Sequence, residues 1–279
     1  MTIGEALEFL KSRLTPSMAE LASPQSEQIL EFILNSSRTD LYLHRSSELD
    51  NTSEEKMRRI LSRALKGEPL AYITGKVYFY SREFTINPDV LIPRPDTETL
   101  VEQVLANEKS PDLLFADIGT GSGIISCILT EHNKGWKAVA VDISIKSLET
   151  AAINCGPGID LVCADMLSAF KDRPLFDFMV SNPPYISATE MESLDQSVID
   201  FEPRTALYGG KDGLDFYRLL AADSPRLLKS NGHIYCEIGY NQGEYVKEIF
   251  LASGWSEVVI CKDLSGNPRV VRATRPEKP

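Results

Sequence analysis

The chain has 279 residues, enough for one large domain or a large and a small one, and its 43% hydrophobic and 25% charged residues are those of an ordinary globular protein. A formal net charge of −11 argues against a broad phosphate-binding surface, and so against nucleic acid as a direct partner. Glu5, Glu8, Lys11 and Arg13 interrupt any signal-peptide pattern, and no apolar run is long enough to cross a bilayer, so a cytoplasmic protein without membrane contact is expected.

Residues 1–75 read as a small helical bundle. Ile3, Ala6, Leu7, Leu10 and Leu14 keep helical spacing, and Thr2 with Glu5 suits a capping box. Ser23-Pro24 suits the start of a second helix carrying Ile29, Phe32 and Ile33 on its apolar face. A third helix is expected from Thr52, with Glu55 as capping partner and Met57, Ile60, Leu61 and Leu65 on one face. Lys56, Arg58, Arg59, Arg63 and Lys66 make that helix basic, which is either a solvated face or a docking face.

The pattern then changes. Residues 77–80 and 83–86 read as a hairpin, and 76–95 as a linker that ends in Pro93-Arg94-Pro95. From 96 to 279 strands and helices alternate. Strands are expected at 113–116, 138–141, 159–163, 176–180 and 233–238, and helices at 122–131, 144–154 and 216–228. Such alternation implies a mostly parallel sheet with helices on both faces. Residues 258–261 and 270–273, around Ser265-Gly266-Asn267, resemble a terminal hairpin.

Three features carry chemistry. Asp117-Ile118-Gly119-Thr120-Gly121-Ser122-Gly123 joins the first strand of the alternating region to a helix, where glycines let the backbone turn tightly and approach a ligand. The spacing is G-x-G-x-G and lacks the Lys-Ser/Thr of a phosphate-binding loop. Asp117 is expected as a carboxylate at the loop mouth, suited to a cationic ligand. Asp142 ends the next strand and is placed to accept two ribose hydroxyls, and Asp165 follows the third and is placed to accept from an adenine amino group. Strand-end acids are also ordinary helix caps. Three beside a Gly-rich loop point to S-adenosylmethionine, with S-adenosylhomocysteine as product.

The third feature is Asn182-Pro183-Pro184-Tyr185 after the strand at 176–180. Two prolines stop the ladder and stiffen the backbone. The resulting turn presents an amide, free carbonyls and a ring, which suits a flat group bearing an NH2; the alternative is a merely proline-rich loop. Cys127, Cys155, Cys163, Cys236 and Cys261 are scattered and read as small buried thiols, and the three histidines are isolated, so no metal site is expected.

With these residues in view the chain resembles the release-factor glutamine N5-methyltransferases, the HemK/PrmC family. The resemblance runs through Gly67-Glu68-Pro69-Leu70-Ala71-Tyr72-Ile73-Thr74-Gly75, Phe79-Tyr80-Ser81-Arg82-Glu83-Phe84 and Ile92-Pro93-Arg94-Pro95-Asp96-Thr97-Glu98. It continues in Glu202-Pro203-Arg204-Thr205-Ala206-Leu207, Gly209-Gly210-Lys211-Asp212-Gly213 and Glu237-Ile238-Gly239 with Gln242. It implies an α/β fold, a seven-stranded mostly parallel sheet of the class I S-adenosylmethionine-dependent methyltransferase type, behind an N-terminal helical substrate-recognition domain. The implied substrate is the Gly-Gly-Gln glutamine of bacterial class I peptide chain release factors, methylated by a monomeric enzyme. Asn182, Pro183, Pro184 and Tyr185 would hold the amide. Asp117, Gly119, Thr120, Gly121, Gly123, Asp142, Asp165 and Asn182 would hold the donor, with Phe79, Arg94 and Glu202 as substrate neighbours. Phe79 has an alternative reading as core, and Arg94 with Glu98 as a surface pair.

Three rivals remain at this point. A sibling enzyme would methylate a glutamine of a ribosomal protein; the short helical N-terminus favours release factors. An adenine-N6 DNA methyltransferase would need a target-recognition domain and a basic surface. A non-catalytic binder is disfavoured because loop and clamp are both intact.

Overall fold

The computed structural model describes residues 1–18 and 20–275, so the last four residues of the expected 96–279 domain lie outside the described residues. The chain divides into two compact units, Met1–Gly75 and the remainder from Lys76.

The first unit is all-helical: α1 (Ile3–Met18), α2 (Ala22–Leu34), α3 (Arg38–Leu43), α4 (Asn51–Ala64) and α5 (Leu70–Thr74). The Thr2–Glu5 capping box forms, with Thr2 N donating to Glu5 Oε2 at 2.8 Å and Glu5 N to Thr2 Oγ1 at 3.2 Å. Leu10, Leu14, Ile29, Leu30 and Met57 are buried together. Two expected starts move. Pro24 falls inside the first turn of α2 rather than opening it, where a missing N–H costs nothing. The cap of α4 is Asp50, whose side chain accepts from Ser53 N at 2.7 Å, instead of Thr52 with Glu55. Phe32 and Leu65, expected on the apolar faces, are exposed. Part of the basic face is already engaged: Arg63 pairs with Glu68, and Arg58 lies 5.3 Å over the Phe9 ring.

In the second unit β1 (Lys76–Phe79) and β2 (Arg82–Thr85) pair antiparallel around Tyr80 and Ser81, both at positive φ as a two-residue hairpin turn requires. This hairpin is not a free linker. Phe79 and Phe84 are buried with α6 (Glu98–Asn107) and α7 (Ile124–His132), each ring contributing about 1.5–3 kcal/mol. Glu98 accepts from Tyr80 N at 2.8 Å, which locks the turn to the first turn of α6.

The seven-stranded sheet consists of β3 (Leu114–Ile118), β4 (Lys137–Asp142), β5 (Ile159–Cys163), β6 (Phe176–Ser181), β7 (Leu228–Glu237), β8 (Ser256–Lys262) and β9 (Pro268–Thr274). Their order is β5-β4-β3-β6-β7-β9-β8, with β3 to β7 parallel and β9 antiparallel to both neighbours. The remaining helices are α8 (Ile145–Asn154), α9 (Ala188–Met191), α10 (Gln196–Phe201), α11 (Asp215–Asp223) and α12 (Gly243–Ala252). Alternate strand residues feed two cores. Ala116, Met179, Ile234 and Val271 face α11 and α12, while Phe115, Phe178, Tyr235 and Val270 face α6 and α7. The Phe115 and Phe178 rings stack at 4.7 Å, nearly parallel.

The expected helix at 216–228 ends at Asp223, because Pro225 cannot continue the ladder; a short 3-10 turn follows and Leu228 already belongs to β7. Of the thiols expected to be buried, Cys163 is exposed at the end of edge strand β5.

Candidate functional site

The strand order reverses at β3, whose neighbours are β4 and β6, so a crevice opens at the C-terminal ends of β3 and β6. Ile118 pairs with Ser181 there, and Ser181 Oγ donates to Ile118 O at 2.7 Å. The two motifs of the chain leave the sheet side by side at this point. Between them and the end of β4 lies a cavity of about 460 Å³, lined by Gly119, Thr120, Gly121, Asp142, Asp165, Asn182 and Pro183 among others. That volume suits a nucleoside-sized ligand.

The loop after β3 is built from glycine geometry. Gly119, Gly121 and Gly123 all have positive φ, and a Cβ on Gly119 or Gly121 would meet no atom within 4 Å, so their backbone faces open space. Gly119 N and Thr120 N both donate to Val141 O at 2.9 Å, which ties the loop to β4.

Asp117 is not at the loop mouth. It is 0% exposed beneath the loop, where Oδ2 accepts from Thr120 Oγ1 at 2.7 Å and Ser126 Oγ at 2.8 Å. Its Oδ1 is buried without a partner. Desolvation drives its pKa up to about 6, against the pull of the two hydroxyls. It shapes the loop from below and carries charge close to it without lining the cavity. Asp142 does line it. Its Oδ2 accepts from Gly121 N and its Oδ1 from Ser144 N, each at 2.9 Å. Two backbone donors fix the plane of the carboxylate, and each oxygen keeps a lone pair for a further donor. Asp165 also lines the cavity.

Asn182 follows β6. Its Nδ2 donates to Thr97 Oγ1 at 3.2 Å, which leaves Oδ1 as the acceptor available to a ligand. The turn is held from behind. Ile186 N donates to Leu207 O, Gly209 N to Ile186 O and Gln242 Nε2 to Tyr185 O, all at 2.9 Å. Gly209 has to be glycine: a Cβ there would lie 2.5 Å from Pro184 O. Tyr185 is largely buried against the sheet core rather than in the donor cavity, its hydroxyl 3.5 Å from Glu237 Oε1. Burial and the nearby Glu237 raise the Tyr185 pKa, so the phenol stays protonated.

Phe79 is core, 2% exposed, and lines neither this cavity nor the one beside it. Arg94 pairs with Glu202 at 2.5 Å rather than with Glu98. The Glu202 side chain is only 2% exposed and borders a neighbouring cavity of about 440 Å³, which shares Arg204 and Tyr208 with the first. Thr97, Gln242, Gly209 and Glu237 were given no role by sequence reasoning. Their signal was present only as small motifs around them, since each acts on a partner far away in the chain that no local pattern specifies.

Two family models match the chain: PrmC N-terminal domain over residues 5–75 and Methyltransferase small domain over 95–205. The chain is 37% identical to a release factor glutamine methyltransferase of Koribacter versatilis, covering 99% of each chain. It is 36% identical to the protein of that name from Bacillus subtilis, covering 98% of this chain and 97% of the other. A crystal structure of a methyltransferase from Pyrococcus furiosus shares the fold with a TM-score of 0.54 at 16% identity, covering 77% of this chain and 97% of that one.

Proposed function

The chain belongs to the release factor glutamine methyltransferase family, and from that membership we propose that it methylates the side-chain amide nitrogen, N5, of a glutamine in bacterial class I peptide chain release factors. The acceptor is the glutamine of their Gly-Gly-Gln motif, and the donor is S-adenosylmethionine. The observation that carries the reading is the placement of the Asn182 turn and the Gly119–Gly123 loop on the two adjacent strands that flank the crevice.

The residues present fit the donor. The loop backbone leaves room that any side chain would fill, and the oriented Asp142 carboxylate is an acceptor for paired hydroxyls. Asp165 adds an acceptor for an amino group, and the charge of Asp117 under the loop favours a cation. Bound there, S-adenosylmethionine would supply an electrophilic methyl group on a sulfonium.

The protein's own task is to present the amide. An amide nitrogen is a poor nucleophile because its lone pair is delocalised into the carbonyl. Asn182 Oδ1 and a carbonyl of the Pro183-Pro184 turn accept its two hydrogens, fix the nitrogen in line and stabilise the positive charge that grows on it. The proton becomes acidic only as the methyl arrives, so no strong base is needed. The first unit is assigned to recognition of the release factor, and such a substrate places the enzyme in the cytoplasm.

Purified release factor incubated with labelled donor, followed by peptide mass mapping, tests this. The glutamine is expected to gain one methyl group, and Asn182→Ala to slow transfer by about 100-fold or more while calorimetric donor affinity stays close to wild type. Modification of DNA or of a ribosomal protein in place of that glutamine would overturn the proposal.

A further inference from the structure

Cys127 and Cys155 bring two thiols into contact behind the donor loop. Cys127 lies in the first turn of α7 and is 1% exposed, whereas Cys155, the residue that follows α8, is only partly buried. Their sulfurs are 3.4 Å apart, with the Cys127 thiol donating to Cys155 Sγ. Both residues are tied to Gly123, the last glycine of the loop. Cys127 N donates to Gly123 O at 2.9 Å. Cys155 Sγ packs on the bare Cα of Gly123, where a Cβ would lie 2.7 Å from it. Next to it, Asn154 Nδ2 donates to Ser122 O at 2.9 Å, and Ser122 lines the donor cavity. Nothing in the methyl-transfer chemistry uses either thiol.

We propose that Cys127 and Cys155 are a modification site, joined by hydrogen peroxide in a reversible disulfide that shifts the loop and weakens donor binding. The effect on binding rests on the donor reading of the cavity. In the first step the Cys155 sulfur attacks the peroxide. A sulfur–oxygen bond forms, the oxygen–oxygen bond breaks, and the departing oxygen leaves as water with the thiol proton. In the second the Cys127 sulfur attacks the Cys155 sulfenic acid. The sulfur–sulfur bond forms, the sulfur–oxygen bond breaks, and the hydroxyl leaves as water with the Cys127 proton. Two thiols give up two electrons, and one peroxide is reduced to two waters.

Exposure sets the order of the steps. Cys155 is the thiol that a peroxide reaches, and Cys127 waits beneath it to resolve the sulfenic acid. The hydrogen bond from Cys127 lowers the Cys155 pKa and Arg82 adds to the pull, while burial and Asp117 oppose it. In a reducing compartment the pair rests as thiols, and a disulfide formed there is transient. From 3.4 Å the sulfurs must close by about 1.4 Å to bond. Rotation of the side chains supplies part of that movement. The rest falls on the first turn of α7 and on residues 154–155, and reaches Gly123 through both contacts.

The test treats wild type, Cys155→Ala and Cys127→Ala with a few equivalents of hydrogen peroxide. Donor affinity is then measured by calorimetry, and disulfides are mapped by mass without reduction. The wild type is expected to lose two hydrogens, with the bond mapped to the peptides of Cys127 and Cys155. Its donor Kd should rise about tenfold and return with dithiothreitol, which does not reverse methionine oxidation. Cys155→Ala should keep its untreated Kd, and Cys127→Ala should carry a sulfenic acid on Cys155 and no disulfide. The exposed Cys163 gauges the treatment: its oxidation without a bond between Cys127 and Cys155 would overturn the proposal. So would a mapped bond that leaves the donor Kd unchanged, or a loss of affinity that Cys155→Ala shares. A reduced wild type that does not bind the donor at all fails the donor reading and takes the effect on binding with it, whereas the bond is read by mass alone.

Discussion

Asp117→Asn separates the structural cost of the donor loop from its function. Asp117 is fully buried, and its pKa rises from an ordinary 3.8 to about 6, chiefly through desolvation. That difference corresponds to about 3 kcal/mol. The folded-state value lies above the unfolded one, so folding takes up a proton between them. The stabilisation is fully present below about pH 3.8 and is lost as pH rises through about 6. Above that the wild type holds an ionised carboxylate whose Oδ1 has no partner. Asparagine keeps an acceptor for Thr120 and Ser126 and removes the charge, but places an unpartnered NH2 where Oδ1 was, a constant cost of about 1–3 kcal/mol. The stability of Asp117→Asn relative to wild type should therefore climb by about 2–3 kcal/mol from pH 4 to pH 8, levelling off above about pH 6. Other titrating groups, Glu237 included, cancel in that difference. Urea denaturation at several pH values, with m-values unchanged, measures it. Calorimetry on the same variant should show weaker donor binding, since a negative charge beneath a cation-binding loop has gone. A difference that is flat with pH would refute the buried-carboxylate argument.

Two further outcomes follow from the same geometry. Asp142→Ala removes the acceptor for Gly121 N and Ser144 N as well as the one offered to the ligand, so donor affinity should fall by about 30-fold or more, and an unchanged calorimetric Kd would refute its role. Gly209→Ala forces a methyl group against Pro184 O, so the turn must shift; methyl transfer should drop about tenfold or more with donor Kd within about twofold, and an unaffected rate would show that the strap behind the turn does not position it.

Much of this architecture was legible in the chain itself. β5 lies at residues 159–163 as read, and the other strands of the sheet differ mainly at their ends, because strands buried on both faces appear as near-continuous apolar runs. The Gly119–Gly123 loop and the Asn182 turn were visible because glycine and proline act on their own backbone, whatever surrounds them. Helix α12 escaped the reading, as did short α3, α5, α9 and α10, which span too few residues for periodicity to register.

The sequence by itself determined the backbone devices, the strand-end acids and, through family resemblance, the chemistry. Tertiary structure alone decided how deeply each polar group is buried and which partner it meets. Asp142 lines the cavity while Asp117, another strand acid in the same constellation, is sealed beneath a loop. Phe79 is core, Arg94 pairs with Glu202 across 108 residues, and Thr97 meets Asn182 across 85. Burial and long-range pairing depend on how the sheet stacks its faces and where its order reverses, and no local pattern of residue types encodes either.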